Sequence, residues 1–111
     1  MTTECVTVTV TIDDESKAAE IAATIVRERL AACGQVGSPI KSFYWWDGDV
    51  QNDGEWRIEF KTQAALLDRL TARVVELHTY DVPQVTASPI VGGLPAYLDW
   101  IKEETTASEA S

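Results

Sequence analysis

Basic side chains are scarce in this chain. Nine Lys and Arg stand against eighteen Asp and Glu, a formal net charge of −9, with an isoelectric point near 4.4. Phosphate backbones and anionic membrane surfaces are bound by clustered Lys and Arg, so neither nucleic acid nor a membrane is an expected partner, whereas cations are admitted. Cysteine is almost missing too: Cys5 and Cys33 are the only two, and they lack the CxxC spacing of a zinc or redox motif. In a reducing cytosol two buried thiols are expected in place of a disulfide. No run of ~18 apolar residues exists for a spanning helix. The start Met1-Thr2-Thr3-Glu4 has neither the basic residues nor the apolar run of a signal peptide, so the chain is expected in the cytoplasm. There is one histidine, His78, and any imidazole chemistry must therefore be there.

What is present is the composition of a single globular domain: 111 residues, 45% of them hydrophobic, enough for one core and no second. Val6, Val8, Val10 and Ile12 alternate with Thr7, Thr9 and Thr11, which predicts a strand with one apolar face. Asp13, Asp14 and Glu15 then suit a helix start, and Ala18, Ile21, Ala22, Ile25, Val26 and Leu30 form a stripe predicted to end at Gly34. Residues 40–46 and 56–61 read as a hairpin that reverses at Asp47-Gly48, with Asn52-Asp53-Gly54 as a bulge in the returning strand. Thr62 is placed to cap a second helix carrying Leu66, Leu67, Leu70, Val74 and Leu77. Residues 85–91 read as a short strand that Pro89 marks as an edge or an end, and Pro95 opens a last helix. Residues 1–104 are expected to form the one domain and residues 105–111, polar and without periodicity, a disordered tail.

The order βαββαβ plus a terminal helix implies an α+β, ferredoxin-like arrangement, with two helices on one face of a four-stranded antiparallel sheet. No helix remains for the other face. That face is expected to carry threonines and hairpin aromatics and to meet water or another subunit. Four Trp in a small acidic protein favour the subunit, because exposed aromatic clusters are a liability.

Residues 78–83, His-Thr-Tyr-Asp-Val-Pro, bring an imidazole, a phenol and a carboxylate directly after the second helix. Imidazole and carboxylate together are metal-ligand chemistry, so His78, Tyr80 and Asp81 are the candidate metal residues; a histidine at a helix end also serves to cap or to pack. Other readings are weaker. Asp47-x-Asp49-x-Gln51 starts like a calcium loop but has Asn52 at its sixth place and Ile58 at its twelfth. Gly92-Gly93 is not a phosphate-loop sequence. A Cys33–His78 nucleophile pair needs a proximity that nothing in the sequence supplies. The run Phe43-Tyr44-Trp45-Trp46 lacks the basic groove of an RNA-stacking sheet.

Leu30-Ala31-Ala32-Cys33, Ser42-x-Tyr44-x-Trp46-x-Gly48, Glu55 with Lys61-Thr62, His78-x-Tyr80-Asp81-Val82-Pro83 and Tyr97-Leu98-x-Trp100-Ile101, in this order and spacing, resemble the CutA, or divalent-cation-tolerance, family from about Val6 to Lys102. The resemblance implies a ferredoxin-like protomer in a tight homotrimer and no established catalytic activity, so a non-enzymatic protein is expected. It also implies a role in tolerance of or response to divalent metals, with copper binding in some members. No cofactor is required by it; Cu or Zn is the cation it admits. Gln84 stands where the family carries a glutamate, and Val10 where copper-binding relatives carry a cysteine. Without a thiolate, the remaining ligands suit Cu(II) or Zn(II) better than Cu(I). A trimer resembling the PII-like regulators, with a small ligand or partner protein in its inter-subunit clefts, is the alternative function.

Overall fold

The computed structural model describes residues 3–106. In order they form β1 (Cys5–Ile12), α1 (Glu15–Arg27), β2 (Cys33–Trp46), β3 (Asp49–Gln63), a single 3₁₀ turn (Ala64–Leu66), α2 (Leu67–Leu77), β4 (Val85–Pro89) and α3 (Pro95–Thr106). The four strands make one sheet in the order β2-β3-β1-β4, antiparallel at every pairing. This is the expected α+β, ferredoxin-like topology.

Period-two alternation decides which face is covered. Val6, Val8, Val10 and Ile12 of β1 join Ile58 and Phe60 of β3 in one buried cluster with Ala18, Ile21 and Ile25 of α1 and Leu70 and Val74 of α2. The opposite face pairs Thr7 with Lys61 and Ser88, Thr9 with Glu59 and Thr86, and Thr11 with Arg57. It is a polar surface that water can solvate. A smaller cluster, Cys5, Ala32 and Ile101, seats α3. Both cysteines are free; Cys5 is buried as expected, but Cys33 is only half-buried.

Several boundaries differ from the sequence expectation, each for a definable reason. α1 stops at Arg27, well before Gly34, because Arg29 takes a left-handed φ of 64°. Arg29 N–H donates to Val26 O and Leu30 N–H to Ile25 O at 3.0 and 3.1 Å, the paired bonds of a Schellman cap. The chain is thus released early, and β2 starts at Cys33. Asn52-Asp53-Gly54 is no bulge: Ser42 pairs with Asp53 and Lys41 with Gly54 in unbroken register. The irregularity lies between Val36 and Pro39, where proline cannot donate to a ladder. Thr62 caps no helix; it lies inside β3, fully buried, and its hydroxyl donates to Leu30 O at 2.7 Å. β4 ends at Pro89, two residues short of Val91, and lies at the sheet edge as its proline requires. α3 runs past the expected boundary to Thr106, with buried Thr105 accepting a 2.7 Å bond from Gln63 Nε2; the rest of the expected tail lies outside the described residues.

The turn at Asp47-Gly48 is where the sequence placed it. Trp46 pairs with Asp49, and the two residues between have φ of 53° and 78°, the positive pair of a type I′ turn. β1 pairs with β3 only over residues 56–63. Beyond that, β2 and β3 continue to the turn as a two-stranded ribbon, with no third strand beside it among the described residues. Phe43, Trp45 and Trp46 on this ribbon are 67, 75 and 61% exposed.

Candidate functional site

Residues 78–84 link α2 to β4 and close against the base of the ribbon. His78 ends α2, its N–H donating to Val74 O at 2.8 Å. Its ring is held at both nitrogens: Nε2 lies 2.8 Å from Thr11 O, and Nδ1 accepts from Tyr80 N–H at 3.0 Å. A carbonyl only accepts and an amide N–H only donates, so these partners select the tautomer with its proton on Nε2. The imidazole packs on the Tyr80 ring, centroids 4.6 Å apart.

Tyr80 then reaches across to the ribbon. Its hydroxyl donates to Glu55 Oε2 at 2.8 Å, while Ser42 Oγ donates to the other oxygen at 2.6 Å. Glu55 is 7% exposed, so both oxygens are partnered where burial makes an unpartnered oxygen costly. Burial first, and the bond to Glu55 second, push the Tyr80 phenol well above the ordinary value near 10. Tyr44 donates in the same way to Asp53, and that bond, with burial secondary, also raises its phenol. Thr11 Oγ1 donates to Gln84 Oε1 at 3.4 Å. Between ribbon and loop these groups enclose a cavity of about 610 Å³, lined among others by Thr11, Ser42, Tyr44, Glu55, Tyr80 and Asp81.

The three expected metal residues meet this geometry as follows. His78 has no ring nitrogen lone pair left over, Tyr80 is turned to Glu55, and Asp81 is exposed on the cavity rim. Among the described residues no three His, Cys, Asp or Glu come together as a metal-holding group. As folded here, the three do not fit a ready ligand set. Val10 is fully buried in the helix-covered core, whereas Gln84 contacts Thr11 on the other face, so these two positions do not meet. Cys33 pairs with Lys61 and Thr11 with Arg57, four positions apart along β3 and on opposite sides of it, and His78 is bonded to Thr11, so no Cys33–His78 pair is assembled. Sequence reading missed Glu55 as the centre. Counting back from the Asp47-Gly48 turn would have set it opposite Ile40 and beside Ser42, on the same face as Tyr44 and Trp46.

Residues 6–104 match the family described as CutA1 divalent ion tolerance protein. The chain is similar to "Protein CutA 1, chloroplastic" of Oryza sativa, 43% identical over 107 residues, covering 96% of this chain but 60% of the rice protein. It is similar also to "Divalent-cation tolerance protein CutA" of Thermus thermophilus, 41% identical over 98 residues that cover 88% of this chain and 95% of that one. The fold superposes on the crystal structure of CutA1 from Oryza sativa with a TM-score of 0.90 at 43% identity, over 94% of this chain and 95% of the other. No helix among the described residues is long and apolar enough to cross a membrane.

Proposed function

This chain belongs to the CutA1 divalent ion tolerance family, and from that premise we propose that it is a non-catalytic, cytoplasmic homotrimer serving tolerance of or response to divalent metal ions. The observation that carries the assembly is the ribbon. A two-stranded hairpin is marginal by itself in water, yet this one bears Phe43, Trp45 and Trp46 largely uncovered. A second and third copy laid against it remove that apolar surface from water, at roughly 25 cal/mol per Å². The site chemistry supports the non-catalytic reading: the histidine is committed at both nitrogens, and Glu55 is held by two hydroxyl donors, so as folded neither is a free base.

Cu(II) or Zn(II) is bound weakly, with Asp81 as the first ligand; Tyr80 joins only when its hydroxyl leaves Glu55, and His78 only when Nδ1 releases the Tyr80 N–H. Losing that hydrogen bond subtracts about 1 kcal/mol from the binding energy, which keeps affinity in the micromolar range or weaker. Titration of chelator-treated protein with Cu(II) and Zn(II), alongside His78→Ala and Asp81→Asn, tests this. Weak saturable uptake that Asp81→Asn diminishes supports it, and no uptake of either ion at neutral pH removes it. The cavity of about 610 Å³ favours a second reading, a regulator of PII-like type that holds a small ligand beside the subunit contact.

A further inference from the structure

We draw no further inference here: the strongest candidate, the apolar groove between α1 and the edge strand β2 that Ala19, Ala22, Ala23, Val26, Gly34 and Val36 line, is an unpartnered face, and nothing in the structure shows what covers it.

Discussion

The Nε2 atom of His78 lies 2.8 Å from the carbonyl oxygen of Thr11, 67 residues away in sequence. With the Tyr80 N–H on Nδ1 at 3.0 Å, the lone imidazole ties the end of α2 and the following loop to the edge of β1. Removing it leaves a partly buried carbonyl and an N–H without partners. His78→Ala is therefore expected to lower stability by about 1–3 kcal/mol, read as a shift of the urea midpoint with an unchanged slope. A variant as stable as the parent would show that the ring is dispensable to the fold.

Trp46, 61% exposed in one chain, is expected to pack on a neighbouring copy. Light scattering at micromolar concentration should give three times 12.2 kDa, with unfolding coupled to dissociation. Trp46→Ala should cost about 3 to 5 kcal/mol if the side chain is fully buried in the assembly. A monomer mass, or an unchanged melting temperature for the variant, counts against both the contact and the trimer.

Gly34 is a position of close approach. A Cβ there would lie 3.1 Å from Phe60 Cε1 and 3.3 Å from Ala22 Cβ. Phe60 is fully buried and Ala22 nearly so, so neither neighbour can move far. Gly34→Ala is expected to destabilise by about 1–3 kcal/mol, although Ala is the better residue for an unstrained strand. Thermal melting checks the sign; a rise in melting temperature contradicts the packing.

Arg29 sets two effects against each other. Its φ of 64° is strained for a residue with a Cβ, by about 1–2 kcal/mol. Its guanidinium bonds the Glu104 carboxylate at 2.8 Å and the Glu104 carbonyl at 3.1 Å. Both partners are about half exposed, so the ion pair contributes only ~0–1 kcal/mol. Arg29→Gly relieves the strain and loses the pair, and should fall within about 1 kcal/mol of the parent, whereas Arg29→Ala keeps the strain, loses the pair and should be the least stable of the three. Equal urea midpoints for the Gly and Ala variants would refute the αL cap.

Stability should fall at both ends of the pH scale, for opposite reasons. Tyr44 and Tyr80 hold their protons more tightly folded than unfolded, and so does Tyr97, chiefly by burial. Their contribution is fully present below pH ~10 and is lost as pH rises through the folded values. Glu28 is held below its ordinary 4.5 by the Arg73 hydrogen bond, so its contribution is present above that value and lost as pH falls through the depressed one. Spectrophotometric titration should find Tyr80 the last phenol to ionise, and Tyr80→Phe should flatten the alkaline limb. Ionisation of all three phenols together near pH ~10 would contradict the buried Tyr80–Glu55 bond.

Sequence alone determined the topology, the helix-covered face and the Asp47-Gly48 reversal. Facing toward a core repeats every two residues in a strand and about every 3.6 in a helix, so Val6 to Ile12 and Leu70 to Val74 declare their burial locally. Tertiary structure alone decided where α1 ends, how far the ribbon runs beyond β1, and what His78 does. A left-handed arginine at position 29 leaves no mark in composition, because glycine is the usual sign of that cap. The Tyr80–Glu55 bond joins residues 25 apart and the His78–Thr11 bond residues 67 apart; both depend on strand register and on the path of a loop. A pattern of neighbours in sequence could therefore point to residues 78–83 as a site, but the buried carboxylate at its centre appears only when the ribbon and the loop are folded against each other.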